Sequence, residues 1–187
     1  LKTRPLWVLF GFYAFCGMQD FFVATHIVAF ALDQNLAPSL AGNLLAFMGL
    51  AGLVGVLLTG IVTDRKGPIP PTMACFILRV VLFTAVIFSK APFTIGIFAM
   101  LYGLTFWITA PLTVVFVRDN YGTALLGTLA GMVTMVHHVF GGIGAYVGAY
   151  IFDLSGSYDG GFAVMALTSA LSIGLVVLLS SRRIGTQ

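Results

Sequence analysis

Long apolar blocks alternate with short polar breaks along the whole chain. A hydrocarbon core of ~30 Å is crossed by about 20 helical residues, and six blocks reach or approach that length. The pattern predicts helices over residues 7–32, 40–62, 71–88, 93–117, 123–152 and 161–180. The breaks are Asp33-Gln34-Asn35, then Asp64-Arg65-Lys66-Gly67-Pro68, Lys90-Ala91-Pro92, Arg118-Asp119-Asn120, and residues 153–160. Pro111 falls inside the fourth block and predicts a kink there, because proline has no N–H to give the preceding turn. The fold class read from this pattern is an all-α membrane protein of six transmembrane helices in a single domain, residues 1–187.

Composition agrees with lipid as the solvent. Charged residues make up 8% of the 187 residues and hydrophobic ones 59%, against the roughly 25% charged content of soluble domains. All the acids are Asp. The net charge of +3 resides mostly in the breaks, where it reads as a topology signal rather than a nucleic-acid surface. If the N-terminus is inside, then Lys2, Arg4, Arg65, Lys66, Arg118, Arg182 and Arg183 are inside and only Lys90 is outside. Both termini are thereby expected in the cytoplasm, with the protein multi-pass in the cell (inner) membrane. Cys16 and Cys75 lie within apolar blocks and read as small packing residues without a disulfide. The chain opens Leu1-Lys2-Thr3-Arg4. A fragment, a processed subunit and one half of a split protein all fit this opening, and its first block is too long and too polar for a signal peptide.

The fifth helix carries a large-residue stripe of Leu125, Leu129, Val133, Val136, Phe140, Ile143, Val147 and Ile151. Its other side carries Gly127, Gly131, Thr134, His138, Gly141, Gly142, Ala145 and Gly148. The stripe is expected to meet lipid, and the small, polar side to meet protein or a cavity. Gly49, Gly52 and Gly55 form a comparable line on the second helix.

Polar groups deep in the blocks are the candidate chemistry. Asp20 falls about 20 Å along its helix, near mid-membrane, where an unpaired acid costs several kcal/mol. It reads as the binding point of a proton or a cationic group, or else as a structural partner of Arg79 or another basic residue. Tyr13, Cys16, Gly17 and Ala24 share its side of the helix. Arg79 reads equally as a structural pair or an anion ligand. His137 and His138 sit mid-helix, and histidine suits proton coupling; plain packing is the alternative for both, and for His26. Gln19, Tyr102, Trp107 and Thr134 are further candidates for lining a central path. No metal-ligand spacing, phosphate loop or nucleophile–base set appears, so no enzyme, cofactor or metal is expected.

Four stretches carry a family resemblance. Gly60-Ile-Val-Thr-Asp64-Arg65-Lys66-Gly67 resembles the major facilitator superfamily loop pattern Gly-x-x-x-Asp-Arg-x-Gly. Thr25-His26 through Asp33 resembles the end of the seventh helix in the bacterial monocarboxylate and oxalate/formate branch. Arg118-Asp-Asn-Tyr-Gly122 with Gly127 and Gly131 resembles the tenth-to-eleventh helix junction, and 141–158 resembles the end of the eleventh helix. The resemblance implies the C-terminal six-helix half of a twelve-helix carrier. It further implies that Asp64 gates the inner face by meeting the positive end of a helix in the other half. Two positions depart from the pattern: Pro68 and Ile69 replace basic residues, and Val56 follows Gly55 where the carboxylate carriers place an Arg.

The expected function is a secondary transporter moving a small solute, an organic anion being one candidate, by alternating access. The expected partners are the bilayer, the solute and a second six-helix bundle, whether a missing N-terminal half, a separate subunit or a second copy. The competing reading is a non-transporting subunit or scaffold of the same fold.

Overall fold

The computed structural model describes residues 4–183, with side chains through residue 180. Lys2 and the side chains of Arg182 and Arg183, part of the charge asymmetry above, lie outside the described residues. All regular structure among the described residues is helical: α1 (Arg4–Asp33), α2 (Pro38–Lys66), α3 (Ile69–Phe88), α4 (Pro92–Phe106), α5 (Thr109–Tyr121), α6 (Leu126–Ser155) and α7 (Asp159–Arg183). Six spans are long and apolar enough to cross a membrane, α4 and α5 together making the fourth.

Helix ends follow local chemistry. Pro38 and Pro92 open α2 and α4, where a missing N–H costs nothing. Gly67 and Gly122 close α2 and α5 with φ of 79° and 72°, and their ψ values of 176° and −167° lie in a region open essentially to glycine alone. Each donates its N–H back into the helix it ends, Gly67 to the Thr63 carbonyl and Gly122 to that of Arg118. Gly67 is thus required by backbone geometry whatever the role of Asp64 beside it. Gly67→Ala is expected to lose about 1–3 kcal/mol of stability, read as a lower midpoint of chemical unfolding in detergent. An unchanged midpoint would remove the strain argument.

The fourth span breaks at Trp107–Ile108, one turn before Pro111. Proline's ring crowds the carbonyl four residues back and offers it no donor, and the residue four back is Trp107. The predicted kink therefore appears as a division into two helices.

Two apolar cores are stacked along the bundle. One gathers Phe22, Phe30, Phe83, Phe98 and Phe162. The other gathers Leu9, Phe12, Phe76, Phe116 and Val176. Between them runs a layer of buried polar side chains, Gln19 and Asp20 on α1, Arg79 on α3, Thr105 on α4, and Thr168, Ser169 and Ser172 on α7. Every helix that contributes to both cores contributes to this layer as well.

α2 and α6 are the least buried spans. Leu50, Leu53, Leu57 and Leu58 of α2 are exposed, the composition of a lipid-facing surface. Gly52 and Gly55 press against Trp107 and the Leu104 carbonyl, whereas Gly49 has open space. On α6 the expectation needs correction. Leu129 and Val133 are buried in the second core rather than facing lipid. Gly141, Gly144 and Gly148 press against Phe21, the Met18 backbone and His26 of α1. Gly127, Gly131, Thr134 and His138 remain on an open side. The contact face is centred between the two stripes, because the glycines admit α1 closely while the large residues at one end fill the core.

Candidate functional site

Asp20 sits halfway along α1, is 3% exposed, and meets Arg79 of α3 across the polar layer. Arg79 Nη2 lies 2.7 Å from Asp20 Oδ1. Each remaining direction of the guanidinium is also used. Nε donates to Thr105 Oγ1 at 3.0 Å and Nη2 to the Thr105 carbonyl at 2.9 Å. Nη1 donates to Gln19 Oε1 at 3.1 Å and to Cys16 Sγ at 3.4 Å. A guanidinium has five N–H donors, so all five are engaged. Arg79 is 0% exposed, and its Cζ stands 4.7 Å over the Tyr102 ring, a cation–π arrangement. Gln19 in turn donates to Thr168 Oγ1 at 3.2 Å, tying in α7.

The two oxygens of Asp20 differ. Oδ1 accepts from Arg79 and from the Tyr102 hydroxyl at 2.9 Å. Oδ2 accepts only from the Cys16 thiol at 3.4 Å, with His137 Nε2 at 3.8 Å. A thiol is a weak donor, so Oδ2 keeps acceptor capacity.

A cleft of ≈ 260 Å³ opens beside Asp20, bounded by α1, the α4–α5 break and α6. Its walls include Asp20, Phe21, Trp107, Thr134, His137 and His138. Tyr13 lines the same cleft and donates its hydroxyl to the Thr109 carbonyl at 3.0 Å, bracing α5 after the break. His138 donates from Nδ1 to the Thr134 carbonyl at 2.8 Å, which leaves Nε2 of a neutral ring as an acceptor.

The predicted candidates therefore divide. Asp20, His137, His138, Trp107 and Thr134 reach the cleft, and Ala24 shares that wall with them. Arg79, Gln19 and Tyr102 stand behind Asp20, fully buried. Cys16 is buried as Asp20's partner, and Gly17 lies under the His137 backbone. His26 is elsewhere: Nε2 donates to the Ala145 carbonyl at 2.9 Å and the ring packs against Phe22 and Tyr158. Gly60, Asp64, Arg65 and Gly67 lie at the far end of α2, with Asp64 and Arg65 exposed. Thr105 and Thr168 carry the network and were not singled out from sequence; threonines among apolar residues at the depth of Asp20 were the available signal.

Cys16, Asp20 and His137 bring donor atoms within 4.8 Å of one another. Arg79 already supplies the cation that balances Asp20 and also donates to Cys16, so this donor set does not call for a metal.

These features define a multi-pass helical membrane protein with a charged pair held in its transmembrane interior. The family model described as "Uncharacterised MFS-type transporter YbfB" matches residues 1–180, and the chain belongs to the major facilitator superfamily. It is 26% identical over 166 residues to "Uncharacterized MFS-type transporter YcxA" of Bacillus subtilis (strain 168), covering 84% of this chain and 40% of that protein. It is 26% identical over 159 residues to "Monocarboxylate transporter 13" of Bos taurus, covering 82% of this chain and 37% of that protein. The chain spans about two fifths of the length of these relatives. The relatives are transporters by name, not enzymes.

Proposed function

We propose that the chain is one half of a secondary active transporter. It moves a small solute across the membrane by alternating access, together with a second six-helix bundle. The observation that carries this reading is the cleft at mid-depth, whose wall includes the carboxylate member of a buried ion pair. Half-size bundles of this kind hold solute near the bilayer midplane between the two halves. Irregular backbone such as the α4–α5 break is tolerated at that depth where it lines a cavity. Both termini are cytoplasmic in this reading. Asp64 then lies on the inner side, where it closes the outward-facing state by meeting a helix N-terminus of the other bundle, an attraction of ~0.3–1 kcal/mol at an exposed site.

The scaffold alternative requires the midplane groups to be sealed. Arg79 is sealed, but Asp20, His137 and His138 reach the cleft, which favours the carrier. The name of the Bos taurus relative points to a monocarboxylate. Among the described residues the one deep cation, Arg79, is fully bonded and buried, so such an anion would need its fixed cation from the other half.

Uptake into proteoliposomes of the protein in its native assembly, from a panel of small acids, amines and amino acids with and without a pH gradient, tests the reading. Asp20→Asn is expected to abolish gradient-driven uptake. Full uptake by that variant would remove Asp20 from the mechanism, and no uptake of any solute would remove the transporter reading.

A further inference from the structure

The charge layout of the cleft selects a class of solute. Among the described residues no Lys or Arg lines it. The nearest cation, Arg79, stands behind the carboxylate with every donor engaged. The ion pair is therefore oriented, with its positive end in the protein and its carboxylate on the cleft wall. Oδ2 is the oxygen with the weakest partners, a thiol at 3.4 Å and an imidazole at 3.8 Å. His138 commits its Nδ1–H to the Thr134 carbonyl, so that Nε2 is the ring nitrogen left without that bond. Against these groups stand the rings of Phe21, Phe106 and Trp107, whose faces attract cations. The volume of ≈ 260 Å³ falls below the roughly 300–1,000 Å³ of drug-sized sites.

We propose that this half of the site takes a small amine: an ammonium group donating to Asp20 Oδ2, with an aromatic or other apolar body against Phe21 and Trp107. The step is binding alone; no bond is made or broken, and the ammonium adds one positive charge beside an oriented pair of zero net charge. The proposal deepens the carrier reading for the same cleft, and its binding test does not depend on that reading.

The test compares two probes of nearly equal shape and opposite charge, phenethylamine and phenylacetate. Equilibrium binding to the detergent-purified protein in its native assembly at pH 8 is measured first. Phenethylamine is expected to bind at least tenfold tighter than phenylacetate, in line with hydrogen bonds to charged groups, and Asp20→Asn is expected to lose that preference. The wild-type comparison keeps the test decisive if the variant does not fold. Phenylacetate binding as tightly as the amine, binding of neither probe, or amine binding unchanged in a folded Asp20→Asn protein would each overturn the proposal. Uptake of the same probes separates the two readings. Amine binding without transport of either probe leaves this proposal standing and removes the carrier; transport of the acid without amine binding does the reverse.

Discussion

Replacing Arg79 with methionine is expected to destabilise the protein by about 3–5 kcal/mol, the usual cost of removing one partner of a buried ion pair. The guanidinium is 0% exposed and satisfies Asp20, Gln19, Cys16 and Thr105 at once. Its loss leaves a carboxylate between two apolar cores and takes the Arg79 donor from four further acceptor atoms. The effect should be read by chemical unfolding in detergent. The double variant Asp20→Leu with Arg79→Met removes both charges together and is expected to recover most of the loss, since apolar replacement of a whole buried pair is often neutral. A single variant no less stable than wild type, or a double variant no better than the single, would show that the pair does not act as a unit.

The second large effect is steric. A Cβ at Gly17 would run into the His137 carbonyl, and neither backbone can yield without separating α1 from α6. Gly17→Val is expected to cost about 3 kcal/mol, the upper end of ordinary overpacking, because the obstacle is main chain and not a flexible side chain. Gly42→Ala supplies the contrast. It meets nothing within 4 Å, and alanine in a helix is favoured over glycine by roughly 0.5–1 kcal/mol, so it should be neutral or mildly stabilising. Equal losses at both positions would mean that the helix crossing is not what the glycine secures.

The spans were legible because their cause is local. Length and apolarity set each helix, and proline and glycine set its ends, as at Pro38, Pro92, Gly67 and Gly122. The site was legible only in part. Asp20 stood out because an acid deep in an apolar block is costly, and its basic partner was left open between Arg79 and another residue. What sequence did not supply was rotation. Asp20, Arg79 and Gln19 lie at similar depth, yet the direction each faces depends on how α1, α3 and α7 are turned against one another. The same missing angle explains α6, where two leucine-stripe residues face inward, and His26, whose ring fills a pocket of aromatic groups rather than reaching the cleft. Thr105 escaped notice because a single hydroxyl in a helix usually serves its own backbone, as Thr105 Oγ1 also does by donating to the Tyr102 carbonyl.

Pro111 has an effect beyond shape. It deprives the Trp107 carbonyl of its helical donor, and Trp107 lines the cleft. The break therefore leaves a main-chain acceptor without its helical donor in a residue of the cleft wall, and side-chain replacement does not touch it. An alanine scan of the cleft would pass over that acceptor, and only a change at the proline itself would reveal it.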